Sequence, residues 1–199
     1  MKIILVGANG AVGQTALKAF SNRHEIITVG RTSGDIKIDI EDQESVRSMY
    51  TQVGKVDAVV SAVGHGHFGA LAEMSSDQFM MGINHKVLPQ VNLVLAGIEH
   101  MNDGGSFTLT SGVLNRDPIR GGSCAAAANG ALDGFVVGAA VDMPRGIRIN
   151  AVSPGLLQTS VDRYDGFFPG HEPVSSERVG LAFCKSVEGV ITGQVIVIA

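Results

Sequence analysis

The sequence contains no tryptophan and only two tyrosines, Tyr50 and Tyr164. Phenol chemistry is therefore confined to two positions. Cysteine is as scarce. Cys124 and Cys184 match no zinc-ligand spacing and no disulfide framework, which fits a reduced, cytoplasmic setting. Charge is low as well. The 15 Lys and Arg against 19 Asp and Glu leave a net −4. No basic face is available for a phosphate backbone, so nucleic acid is excluded as the main partner. No apolar run is long enough to span a membrane. The opening MKIILVGANG meets glycine too early for a secretory signal. No repeat or linker marks a second domain, and 199 residues suit a single one, 1–199.

What the sequence does have is glycine, 26 residues of it, and a 45% hydrophobic content sufficient for a sizeable core. Short β-branched runs alternate with helical periodicity. KIILVG, EIITVG, IKIDI, VDAVVSAVG, GSFTLTS, IRINAVSPG and GQVIVIA read as strands. AVGQTALKAFSN, DQESVRSMYTQVG, SSDQFMMGINHKVLPQVNLVLAGIEHM, SCAAAANGALDGFVVGAAVDM and SSERVGLAFCKSV read as helices. Gly54 closes the second helix, and Pro89 kinks or breaks the third. The alternation predicts an α/β fold with right-handed crossovers and a parallel sheet covered by helices on both faces.

The first strand runs into GANGAVG and then into a helix. That context gives the glycines a mechanical reading. Gly7 permits the tight turn, Gly10 lets the chain approach a pyrophosphate, and Gly13 lets the helix sit on the strand, while Asn9, Ala11 and Val12 complete the loop. The free N–H groups and dipole of the helix N-terminus favour phosphate. The fold class is thus a Rossmann-type, doubly wound parallel sheet of about seven strands. An acid at the tip of the second strand favours NAD(H); here TVGRTSG places Gly30 at the tip. Arg31, Thr32 and Ser33 follow, and suit the 2′-phosphate of NADP(H). Asp35 close by is the argument for NAD(H).

The chain resembles the short-chain dehydrogenases/reductases over nearly its whole length. GANGAVG resembles their glycine motif, in the spacing of the extended and atypical branches. Asp39-Ile40 resembles the pair placed against adenine. SAVG, carrying Ala62, Val63 and Gly64, resembles the end of the fourth strand. GIN places Asn84 at the family's helix asparagine, and Ser111 falls at its catalytic serine. ALDGF and PRGIRINAVSPG are close to family consensus. PGLLQT places Pro154, Gly155 and Thr159 at the nicotinamide end. The resemblance implies an oxidoreductase acting on a small carbonyl or alcohol, with Ser111 and Asn84 as catalytic candidates.

The family's Tyr-x-x-x-Lys pair is not recovered. Counting from Ser111 places Cys124 and Ala128 there; counting back from ALDGF places Ala125 and Asn129 there. In the family the tyrosine transfers the hydroxyl proton, while the lysine lowers its pKa and holds the nicotinamide ribose. No lysine lies between Lys86 and Lys185, so no shift of register restores the pair. Candidate substitutes are Cys124 and the histidines of GHGHFG, His65 and His67; these offer no third ligand for a metal. Lys86 reads as a surface charge on another helix face from Asn84, and Tyr164 as an aromatic packing within a substrate lid. Three readings stay open: a reductase with a remodelled acid, a catalytically inactive NADP(H)-binding sensor or regulator, and a lyase or isomerase using Cys124 with a histidine. The apolar surface of the helices after the fourth and fifth strands, by resemblance, implies a homodimer or homotetramer.

Overall fold

The computed structural model describes residues 1–199. Seven parallel strands form one sheet in the order β3-β2-β1-β4-β5-β6-β7. They are β1 (Lys2–Val6), β2 (Glu25–Gly30), β3 (Ile36–Lys37), β4 (Val56–Ser61), β5 (Met101–Thr110), β6 (Arg148–Pro154) and β7 (Val195–Ile198). The order reverses between β1 and β4, so the crossovers run outward in both directions and a crevice opens at the carboxyl ends of these two strands.

Alternation along the strands loads both faces. Ile4 and Val6 point into one core and Ile3 and Leu5 into the other. The first core receives α2 (Gln43–Val53), α4 (Leu88–Gly97) and α5 (Ser123–Ala140), which contribute Tyr50, Leu93 and Leu132. The second receives α1 (Ala11–Phe20) and α6 (Ser176–Glu188), which contribute Phe20 and Phe183. Tyr50 is fully buried, and its hydroxyl donates to the Leu93 carbonyl at 2.7 Å. One of the two phenols is thus a packing group.

The long helix expected around Pro89 is broken before that residue. It comprises α3 (Ser76–Gly82), a wide π-turn at Ile83–Val87, and then α4 with Pro89 in its first turn. Proline has no N–H for a carbonyl one turn back and its ring crowds that carbonyl. The chain responds by widening, and the Leu88 N–H bonds the Ile83 carbonyl. The third strand is also shorter than IKIDI, so Asp39 and Ile40 lie beyond its end.

The glycine turn is built by contact. Gly7 sits at φ +82°, and a Cβ there would come within 2.6 Å of the Ala62 carbonyl oxygen. A Cβ on Gly13 would meet the Gly7 carbonyl oxygen at 2.0 Å. At Gly10 the nearest atom is 3.5 Å away, an ordinary contact. Gly13→Ala is therefore expected to destabilise the fold by at least about 2 kcal/mol, whereas Gly10→Ala stays within about 1 kcal/mol. The urea midpoints of the two variants check both values.

Candidate active site

Helix α1 begins without a side-chain cap and without an acidic residue in its first turn. Its first N–H groups, on Ala11, Val12 and Gly13, have no partner within the helix. They open on a cleft of about 500 Å³, which Gly10, Ala11 and Val12 line from one side. Ala62, Gly64 and His65 reach it from the end of β4, Ser111 from the end of β5, and Pro154 and Gly155 from the end of β6. Ala125, Ala128 and Asn129 line it from one face of α5.

Ser111 is positioned from three directions. Its N–H donates to the Val152 carbonyl at 3.0 Å. The buried Gln90 amide pairs with the backbone of Thr110 on both sides, at 2.9 and 3.0 Å. The Ser111 carbonyl then accepts from the ammonium of Lys86 at 2.7 Å. The Ser111 hydroxyl is buried and has no partner, in a residue that lines the cleft. A polar atom in that condition calls for a ligand or water.

Lys86 corrects the sequence-based expectation. It is not a surface charge: its side chain is half-buried and lines the cleft. Its ammonium donates to the Asn129 Oδ1 at 2.6 Å as well as to the Ser111 carbonyl. The π-turn is what rotates Lys86 inward, and Asn84 on the same turn is left exposed and outside the cleft. Sequence periodicity missed this because it assumes an unbroken helix. The signal available was Pro89, three residues on. Gly64, at φ +126°, makes room for the lysine stem; a Cβ there would lie 2.4 Å from Lys86 Cγ. Burial lowers the Lys86 pKa to about 8, partly offset by the negative charge of Asp133 and by Cys124. Asp133 is itself held by Arg116 and Asn115.

Cys124 does not reach the cleft. Its thiol is buried between α3 and α5, facing the carbonyls of Phe79 at 3.4 Å and Gln78 at 3.6 Å. A Cβ on Gly82 would come within 2.8 Å of its sulfur. His65 is exposed at the cleft mouth and stacks on His85 at 4.7 Å between centroids. His67 lies outside the lining. No group of three His, Cys, Asp or Glu side chains is arranged to hold a metal. Tyr164 lines the cleft and packs edge-on against Phe168. It belongs to the segment 156–173, which also brings Leu156, Leu157 and Phe168 to the cleft.

The loop after β2 carries the second cluster. Arg31 is exposed and pairs with Asp39 at 3.1 Å and Glu41 at 3.4 Å. Asn9 donates to the Ser33 hydroxyl, which ties the glycine turn to this loop. Thr32 is exposed beside them. Asp35 is turned back onto β2, where one carboxylate oxygen accepts from Thr28 N–H at 2.9 Å and from Thr28 Oγ1 at 2.7 Å. These bonds hold its carboxyl below the usual carboxylate range. Asp39 accepts from the Glu41 N–H, Ile40 packs against the core edge, and Val63 packs against the glycine turn. Thr159 is exposed in a short turn beyond Gly155; its neighbour Ser160 lines the cleft.

These residues fit a dinucleotide. The uncapped turn is open where phosphate would lie, Gly10 owes its missing side chain to no protein contact, and a buried hydroxyl waits at the far end. A family model described as enoyl-(acyl carrier protein) reductase matches residues 2–198. The chain is similar to L-xylulose reductase of Mesocricetus auratus, 24% identical over 96% of this chain and 85% of that protein. Among solved structures it is similar to the protein lin1944 of Listeria innocua, 47% identical with a TM-score of 0.98 over the full length of both chains. It is also similar to a small-chain dehydrogenase solved in complex with NADPH, 23% identical, TM-score 0.87, covering 100% of this chain and 96% of that one. No helix is long and apolar enough to cross a membrane.

Lys86 is expected to lose its proton near pH 8, well below the 10.5 ordinary for lysine, because burial disfavours the charged form. A carbon-detected NMR titration of ¹³C-labelled lysine, assigned with Lys86→Met, measures it.

Proposed function

The chain belongs to the short-chain dehydrogenase/reductase family, and from that premise we propose that it is an NADP(H)-dependent oxidoreductase acting on a small carbonyl compound or its alcohol, through an atypical active site. One observation carries the reading: a single cleft joins the uncapped glycine turn to the buried, unpartnered hydroxyl of Ser111.

The first-turn N–H groups of Ala11, Val12 and Gly13 would hold the pyrophosphate. Arg31, Thr32 and Ser33 would take the 2′-phosphate. Asp39 and Ile40 flank the adenine end; Pro154, Gly155 and Thr159 stand at the nicotinamide end. Asp35 is the residue that would bind the free ribose diol of NAD(H), and it is engaged with Thr28. That supports NADP(H) over NAD(H), as does the NADPH in the neighbouring dehydrogenase structure. A reduced nicotinamide supplies a hydride. Ser111 donates its hydroxyl proton in a hydrogen bond to a substrate oxygen and fixes the carbonyl plane. Asn84 lies outside the cleft and takes no part in this reading. The segment 156–173 adds Leu156, Tyr164 and Phe168 to the cleft wall.

A second reading follows from Ala125. On the register counted from ALDGF, a methyl stands where the family places its phenol, and no methyl moves a proton. On that reading the protein binds NADP(H) and signals its level without turnover. Titration of NADPH fluorescence followed by a panel of small carbonyls separates the two. The reductase consumes NADPH with at least one of them; the sensor binds and consumes none.

Arg31→Ala is expected to lower the ratio of NADP(H) to NAD(H) affinity by roughly tenfold or more, the loss of a charge-assisted phosphate contact. Paired titrations with both coenzymes read this ratio. Leu88 and Leu95 on α4, and Val137 on α5 with Val141 just after its last residue, are exposed. Each pair falls on one helix face, so self-association through these helices is proposed as well. Light scattering is expected to give a dimer or tetramer, and a monomer counts against it.

A further inference from the structure

We propose that Lys86 is the proton donor of this cleft, delivering the Nζ proton to a substrate oxygen held on the Ser111 hydroxyl. The proposal deepens the reductase reading and rests on it.

The geometry is specific. An ammonium has three donors. Two are used, toward the Ser111 carbonyl and the Asn129 Oδ1. Both acceptors are neutral, so neither takes the proton away. Lys86 lines the cleft, and no protein acceptor takes its third donor. The hydroxyl of Ser111 belongs to the residue whose carbonyl anchors Nζ. A ligand oxygen that satisfies the orphaned hydroxyl is therefore brought beside the ammonium.

The other titratable groups around the cleft are placed less well. Asp133 on α5 is engaged by Arg116 and Asn115. The Cys124 thiol faces α3. His65 stacks on His85 at the exposed mouth. From the segment after β6, Tyr164 packs against Phe168, and the Arg163 guanidinium lies over the Tyr164 ring. Of these groups only Lys86 touches Ser111.

The step balances. The carbonyl carbon gains a hydride from the reduced nicotinamide nucleotide, and the carbonyl π pair moves onto oxygen. The Nζ–H bond breaks as the O–H bond forms, and its electron pair stays on nitrogen. The neutral amine then regains a proton from water. Burial lowers the hold of Lys86 on its proton to about 8, which suits a donor working near neutrality. The donor is active when protonated, so the reduction rate falls as pH rises through that value.

The experiment combines a binding readout with a kinetic one. NADPH affinity is measured by fluorescence for the full-length protein, Lys86→Met, Lys86→Arg and Lys185→Met, the last an exposed control on α6. NADPH oxidation is followed from pH 6 to 9.5 with 2,3-butanedione and a set of small aldehydes. The ¹³C signal of the Lys86 ε-carbon is recorded with and without NADPH. The expected result is a Lys86→Met loss of about 10²-fold or more in kcat, with NADPH affinity changed far less. Lys86→Arg is expected to keep the charge but lose the pH limb, since arginine does not deprotonate in this range. The Lys86 signal, read on the unmutated protein, is expected to shift with NADPH, which keeps the test decisive where a variant folds poorly. Turnover and pH profile unchanged in Lys86→Met overturn the acid role alone. A Lys86 signal unmoved by bound NADPH also overturns it. Wild-type protein that binds NADPH and leaves every probe intact overturns the reductase reading, and the acid role with it.

Discussion

Nothing larger than hydrogen fits between the start of α1 and the turn that precedes it. Gly13 rests against the carbonyl of Gly7, and Gly7 against the carbonyl of Ala62 at the end of β4. These contacts lock strand β1, helix α1 and strand β4 together at the point where the strand order reverses. They also fix the direction in which the helix N-terminus points, and the cleft inherits its position from that. Gly10 completes the arrangement from outside. Its missing side chain is required by no protein neighbour, and it lies on the cleft wall. Two glycines answer to packing and one to space for a ligand.

The opposite wall depends on a defect. The chain cannot pass through Pro89 as a regular helix, and the π-turn ahead of it shifts the helical register. Through that shift Lys86 faces the cleft while Asn84 faces out. The buried Gln90, one residue beyond the proline, pins the same segment to the end of β5 through both its amide atoms. One short stretch thereby sets the backbone of Ser111, the direction of Lys86 and the separation of the two. Burying the ammonium costs solvation, which the two carbonyl acceptors offset in part.

The sheet, its helices and the glycine turn were legible in the sequence because each follows from local pattern. Alternation of β-branched runs with helical periods, and glycines between a strand and a helix, carry their own geometry. Ser111, singled out by the family resemblance, follows the last residue of β5 and lines the cleft. Lys86 was not legible. Its placement follows from a helix irregularity, and a 3.6-residue period assigns it to the wrong face. Cys124 stayed open as a substitute for a related reason: in a helix rich in alanine and glycine almost every face looks able to pack, so composition does not say which one meets the cleft. Asp35 illustrates the limit at the other end. Sequence puts it near the ribose site, but only the fold reveals the Thr28 bonds that occupy it.

The residue at 129 is compatible with the charge at 86. On the register counted from ALDGF, Asn129 stands where the family carries lysine, and its Oδ1 lies 2.6 Å from the Lys86 ammonium. A second ammonium there would face the first at close range. Two like charges about 4 Å apart repel by about 4 kcal/mol at an effective dielectric of 20, so at most one would stay protonated. An amide instead accepts a hydrogen bond and leaves the charge single. Ala125 then leaves open the space that a phenol would fill, and Lys86 reaches in from the facing helix turn. A single cation therefore stands between the π-turn and α5, held there by a neutral amide.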